Sequence, residues 1–259
     1  MGIRLLVNGI GGYMGREVAR LCSESYHGAE LSGGVDPSGN APSGVSLYRS
    51  VDEIDAVDFD CIIDFSHHSA APELLSFAVA QDIPVVLATT GHTDDELSCI
   101  REASESIPVF FAANMSLGIA LLARVATQVA ESMPDATIEI VEKHHIRKLD
   151  APSGTALMLA EELCSVRPEA YLNCGRSGHA RRDENEIGIH SVRMGNIVGE
   201  HEVIIGTAAE TITLKHEAHS RALFAEGAIT AAEFIVECPK GLYNMKDMVS
   251  RGNKNMAIK

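Results

Sequence analysis

The sequence predicts an α/β chain in two parts: a doubly wound parallel sheet, and a second α+β domain built on a mixed or antiparallel sheet. Three observations carry this expectation. Between Ile3 and about Asn114, short β-branched runs alternate with longer amphipathic ones, as repeated strand-helix-strand units do. The first strand-to-helix junction is a glycine-rich turn, Gly9-Ile10-Gly11-Gly12-Tyr13-Met14-Gly15-Arg16. Beyond Glu131 the texture changes to runs of period two, the mark of half-buried strands.

In chain order, the predicted strands of the first half are Ile3–Asn8, Glu30–Val35, Asp60–Phe65, Ile83–Ala88 and Val109–Ala112. Helices are expected over Met14–Ser25, Pro72–Gln81 and Asp94–Ser106, the last opening on acidic residues that suit the positive end of a helix. This half therefore reads as a Rossmann-like nucleotide fold. A helix over Leu117–Glu131 leads to an alternating strand at Thr137–Glu142 and a helix over Ala156–Cys164 capped by Ser153 or a neighbour. Three more strands, at Ile187–Arg193, Glu200–Gly206 and Glu210–Lys215, are expected to run antiparallel, because Gly195-Asn196 and Thr207–Ala209 separate them as turn signals. Arg176–Glu186 reads as an exposed loop. The alanine-rich Ser220–Glu237 is expected as a final helix packed back onto the first domain, with no strand after it.

Composition narrows the function classes. The chain has 259 residues, enough for two modest cores, and is 46% hydrophobic and 22% charged, as globular proteins are. Its formal net charge of −15 argues against nucleic acid or an acidic membrane as partner, since both select basic surfaces. No stretch approaches the roughly 18 apolar residues that span a bilayer, so the expected location is the cytoplasm. The six cysteines are scattered without a C-x-x-C pair and are expected to be free thiols rather than metal ligands.

The Gly9–Arg16 turn follows a strand and opens a helix, which is the setting of a pyrophosphate-binding loop: glycines let the backbone approach the phosphates, and helix N-terminal amides receive their charge. Asp36 lies at about the 20-residue spacing at which an acidic residue binds the adenosine ribose 2′-hydroxyl. Pro37 follows where a reader of a 2′-phosphate would favour Arg, so NADH is expected to serve at least as well as NADPH.

The densest positive cluster in this acidic chain is Lys143-His144-His145-Ile146-Arg147-Lys148. Asp150-Ala151-Pro152-Ser153-Gly154-Thr155 then leads into a helix whose first amides, those of Gly154 and Thr155, are expected to point free and to bind carboxylates. Cations and a helix start on one short loop form a cradle for a dianion. A metal site on His144 and His145 is disfavoured, because adjacent residues on a strand point to opposite faces and no third ligand sits at a familiar spacing. Ser153 lacks the G-x-S-x-G context of a nucleophile.

Taken together, Gly9–Arg16, Ala88-Thr89-Thr90-Gly91, Phe111-Ala112-Ala113-Asn114-Met115-Ser116 and the run from Glu142 through His144, His145, Lys148 and Asp150 to Ala156 resemble the ordered signatures of the dihydrodipicolinate reductases. The resemblance continues through Gly195–His201 and His216–Arg221 and so spans nearly the whole chain. It implies a dinucleotide-binding domain of residues 1–114 plus 217–259, and a substrate-binding domain of residues 115–216 whose sheet makes a homotetramer. It implies hydride transfer from NADH or NADPH to a cyclic dicarboxylate on the route to diaminopimelate and lysine. Cofactor contacts are then expected from Gly9, Ile10, Gly11, Gly12, Tyr13, Met14, Asp36, Ala88, Thr89, Thr90, Ala112, Ala113, Asn114 and Met115. By the same resemblance His144 and Lys148 carry the proton chemistry, while His145, Gly154 and Thr155 hold the substrate; no metal is implied.

Two departures stand out. Ala88 replaces a glycine of many relatives, which a backbone contact tolerates, and Ser66-His67-His68 replaces an Arg-Pro pair, so His67 and His68 are read as exposed loop residues. Two other classes fit the sequence less well: a nucleotide-binding regulator that lost catalysis would not need the His144-His145-Lys148 and Gly154-Thr155 set, and an aspartate or homoserine dehydrogenase would not be expected to carry that run.

Overall fold

The computed structural model describes residues 2–254, and these divide into two compact units: the residues up to Ser116 together with those from Ala222 onward, and Leu117–Arg221. In the first unit the strands are β1 (Arg4–Asn8), β2 (Glu30–Val35), β3 (Leu47–Tyr48), β4 (Cys61–Asp64), β5 (Val85–Leu87) and β6 (Pro108–Phe111). The helices between them are α1 (Tyr13–Ser23), α2 (Ala71–Gln81) and α3 (Asp94–Ser104). The second unit holds α4 (Leu117–Ser132), β7 (Thr137–His144), α5 (Gly154–Ser165), β8 (Tyr171–Cys174), β9 (Glu186–Arg193), β10 (Gly199–Gly206) and β11 (Thr211–Ala218). The chain then returns to the first unit with α6 (Ala222–Ile235), β12 (Gly241–Tyr243) and α7 (Met245–Lys254).

The first unit is a seven-stranded sheet in the order β12-β6-β5-β4-β1-β2-β3, with every pairing parallel. Parallel strands need helical crossovers and are therefore covered on both faces. The core is divided accordingly. Leu6, Ile62, Val85, Leu87 and Val109 pack with Leu74, Leu75, Ala78, Ile100 and Ala103 of α2 and α3. The strand residues of opposite parity, Leu5, Val7, Ile63, Val86 and Phe110, are as fully buried and face the other side, where α1 and α6 pack together. Thr93 caps α3 through a reciprocal pair with Glu96, so the acidic start read from the sequence is a capping box.

One expectation fails here. A strand does follow the last long helix: β12 pairs with β6 at the sheet edge. It is three residues long with one apolar side chain, too short for a periodic signal, and pairing rather than pattern creates it. The same holds for β3, two residues at the opposite edge.

The second unit is a five-stranded mixed sheet, β11-β10-β7-β9-β8. The antiparallel expectation holds for β10 with β11 and with β7, but β9 runs parallel to both β7 and β8. Gly195-Asn196 is therefore no hairpin turn: β7 lies between β9 and β10, and α5 makes part of the crossover that a parallel β7/β9 pair requires. One sheet face packs Ile138, Ile140, Ile187, Ile189, Val203 and Ile205 against α4 and α5. The other carries a charge ladder in which Lys143 and Lys215 each bond Glu200.

Candidate active site

The C-terminal ends of β1, β4, β5 and β6 lie side by side, and the residues after them form one crown of loops. Gly9 turns the chain with φ +81°, and any side chain there would strike the Phe65 carbonyl. Gly15 lets α1 close onto that turn, since a Cβ would stand 2.2 Å from the Gly9 oxygen. Four amides of the turn are already engaged: Gly9 and Ile10 donate to Val35, Gly11 to Asp36, and Gly12 to the Gly9 carbonyl. The N-cap of α1, Gly12, makes no side-chain cap bond. Ile10 has its side chain fully buried against Gly34 and its amide bonded to Val35, so it shapes the loop from below.

Asp36, at the end of β2, is tied into the same crown. It accepts from Gly11 N at 3.0 Å and Ser38 N at 2.9 Å, and from the Ser38 hydroxyl. Burial alone would raise its pKa, but these bonds outweigh it and hold the carboxyl below its ordinary value. Its charge sits beside the glycine turn.

The loop after β5 places Ala88 partly buried, Thr89 buried and Thr90 exposed; the loop after β6 places Ala112 and Asn114 partly buried, Ala113 exposed and Met115 buried. Asn114 Oδ1 accepts from Ser116 N at 2.8 Å and turns the chain toward α4. Beneath the crown lies a residue the sequence reading passed over. Asp64, fully buried, accepts from Asn8 Nδ2 (2.8 Å), Ser66 Oγ (2.6 Å) and Thr89 Oγ1 (2.7 Å), and so pins three of the loops together. Its signal in the sequence was a carboxylate at the end of an otherwise apolar strand. His67 is exposed as expected, but His68 is not: its Nδ1 lies 2.8 Å from Glu96, beside His92.

The second unit assembles the other predicted group. His144 ends β7 on the helix-covered face, with Nδ1 2.6 Å from Glu142 Oε2. Glu142 has no exposed surface and also accepts two bonds from Arg193, at 2.8 and 2.7 Å, and one from Ser153 N at 3.1 Å. Burial would raise its pKa, yet Arg193 and the other donors bring it down to about 2. Ser153 caps α5 by accepting from Ala156 N, and its hydroxyl lies 3.2 Å from His201 Nε2. His201 stacks edge-on to His144 at 5.2 Å. Glu142, Arg193 and His201 join this cluster without having been expected there, because Glu142 and His201 stand only within longer motif runs and Arg193 comes from a strand distant in sequence.

The positive run is divided rather than pooled. Lys143 points to the ladder face and bonds Glu200 and Glu202, while Arg147 bonds Asn196. Lys148 remains with the cradle, 2.9 Å from Asp150 and close enough to lower the pKa of His144 by charge repulsion. His145 Nδ1 is buried without a partner among the described residues. The amides expected to be free are not both so: Gly154 N–H bonds the Asp150 carboxylate, and Thr155 also interacts within the fold. Asp150 is short, exposed and next to the helix start, so it takes the place an anion would.

Burial of the imidazoles has a consequence for stability. Burial, with repulsion from His144, lowers His201 to about 4 from an ordinary 6.5. Between those values the unfolded chain binds the proton and the folded chain does not, so stability is full above about pH 6.5 and falls as pH drops toward 4. A shift of that size corresponds to about 3 kcal/mol. Glu142 adds a loss in the same direction at lower pH, from about 4.5 down to about 2. Urea midpoints measured from pH 7.5 to pH 4 are expected to decline, and His201→Gln is expected to flatten the decline; an unchanged slope in the variant would assign it elsewhere.

The family profile described as "Dihydrodipicolinate reductase, N-terminus" matches residues 3–115, and "Dihydrodipicolinate reductase, C-terminus" matches residues 118–249. A 4-hydroxy-tetrahydrodipicolinate reductase of Caldanaerobacter subterraneus subsp. tengcongensis is 45% identical, covering 97% of this chain and 100% of its own. One from Clostridium tetani is 40% identical over 96% and 97%. Among solved structures, the dipicolinate-bound dihydrodipicolinate reductase of Paenisporosarcina sp. TG-14 superposes with TM-score 0.81 at 26% identity, over 95% of this chain and 99% of that one. Among the described residues no helix is long and apolar enough to cross a membrane. With both halves matched and close relatives along nearly its whole length, the chain belongs to the dihydrodipicolinate reductase family.

Proposed function

We propose that this protein reduces 4-hydroxy-tetrahydrodipicolinate, by way of its dehydrated form, to tetrahydrodipicolinate, using NADH or NADPH in the cytoplasm on the route to diaminopimelate and lysine. The observation that carries this is the gathering of His144, His145, Lys148 and the start of α5 around one loop, in a chain whose relatives bear that enzymatic name. A substrate with two carboxylates needs cations and amides of this kind. In this reading the Asp150 carboxylate gives way to a substrate carboxylate at Lys148 and Gly154. His145 and Thr155 complete the hold.

The dinucleotide fits the crown of the first unit. The start of α1 at Tyr13 and Met14, behind the glycine turn, suits a pyrophosphate, Asp36 suits the ribose, and the backbone of Ala88–Thr90 and Ala112–Met115 would line the nicotinamide. When bound, the reduced ring supplies the hydride. The negative charge that a reduced substrate would carry calls for a proton at the cradle, which Lys148 would supply while His144 would serve as the acceptor beside it.

A coupled assay with aspartate semialdehyde, pyruvate, the condensing synthase and NADH is expected to show cofactor absorbance falling; no fall with either NADH or NADPH would overturn the assignment. Because the Asp36 charge would repel a 2′-phosphate and Pro37 offers it no cation, kcat/KM with NADH is expected to equal or exceed that with NADPH. A strong preference for NADPH would contradict this. The ladder face of the second unit's sheet is the surface we assign to homotetramer formation, checked by light scattering in solution.

A further inference from the structure

We infer that Glu142 is a positioning residue that locks His144 in one tautomer, Nδ1–H toward Glu142 and Nε2 bare, with Arg193 as the countercharge that keeps the ring neutral. Nothing in the family resemblance assigned either residue. The argument starts with Glu142. It is fully buried and receives two bonds from Arg193 and one from the Ser153 amide, so it is ionised and can only accept. The 2.6 Å contact from His144 Nδ1 is therefore an N–H donated to the carboxylate. That leaves Nε2, which makes no hydrogen bond among the described residues and lies beside Gly199, where even a Cβ would come within 3.1 Å of it. The open end of the ring is an acceptor.

A carboxylate beside a histidine ordinarily makes the ring more basic. Here His144 is shifted the other way, because burial opposes its charge and Lys148 and Arg193 repel it, together outweighing Glu142. The bidentate guanidinium of Arg193 explains how both facts coexist: it cancels the charge of Glu142 while leaving its lone pair to orient the ring. The other groups facing the ring are His201 on β10, itself lowered by burial, and Lys148 on the loop after β7. Neither of them takes the place of Glu142 as the acceptor of the Nδ1–H. The same carboxylate holds Ser153 N, and the partly buried Arg193 also reaches the Asp150 carbonyl, so one ion pair sets both the histidine and the substrate loop.

The consequence rests on the proposed reductase reading: His144 waits as an acceptor, and Lys148 is the group that arrives with a proton. The tautomer itself is tested without substrate. In imidazole 15N correlation spectra at pH 7.5, with His144 assigned by its loss in His144→Gln, the wild-type ring is expected to carry its proton on Nδ1. A proton on Nε2, or a doubly protonated ring, overturns the proposal whether or not the enzyme reading survives. In Glu142→Gln the ring is expected to change tautomer or to average between the two, while kcat falls at least about tenfold and substrate KM stays within about threefold. Arg193→Met is expected to raise the pKa at which His144 titrates, moving the acid limb of the pH profile upward. If Glu142→Gln keeps both the wild-type ring signals and kcat, Glu142 is structural only. Absence of reductase activity in the wild type together with an Nδ1–H ring would sink the enzyme reading and leave the tautomer assignment standing.

Discussion

Lys148→Ala is expected to lower kcat/KM by at least about 100-fold, the scale of losing an acid or a charge-assisted contact within a site. The side chain is three-quarters buried, and its only ion-pair partner among the described residues is Asp150, so the ammonium is held at the cradle rather than in a surface lattice. Folding is expected to survive, because the partner Asp150 is about half exposed and pairs with such a solvent-facing partner contribute only about 0–1 kcal/mol. Lys148→Arg separates two roles. A guanidinium keeps the charge but cannot release its proton. Binding restored with kcat still low makes Lys148 the proton donor, whereas recovery of both makes it a carboxylate clamp. Wild-type turnover in the alanine variant would remove Lys148 from the mechanism.

His144→Gln is expected to act mostly on kcat, again by about 100-fold or more, with little change in KM. Glutamine is chosen because its amide can still donate to Glu142, so the buried carboxylate keeps a partner and the loop held by Ser153 is undisturbed. What the variant loses is the ring nitrogen beside Gly199 that can take and return a proton. An effect confined to KM would instead make His144 a binding residue.

Much of this protein was legible before any coordinates. The central strands of the first unit were legible because they are buried and read as unbroken apolar runs, and Ser153 marked its helix because caps are local chemistry. The edge strands β3, β8 and β12 were not legible: each is two to four residues long and exists because a neighbour pairs with it. The direction of β9 was missed for a related reason. A turn signal such as Gly195-Asn196 reports that the chain bends, not which strand it rejoins.

The composition of the cradle and of the glycine turn is written in short contiguous runs whose residue types have few other uses. How those groups are employed is set by the folded chain. It separated Lys143 from Lys148 across the sheet, bonded Asp150 to the Gly154 amide, and set Arg193 of β9 against Glu142 of β7. The physical reason is that side-chain charge is local information while its neutralisation is not. Which carboxylate meets which guanidinium depends on strand order and register, and these follow from burying two helices against one sheet face rather than from any motif.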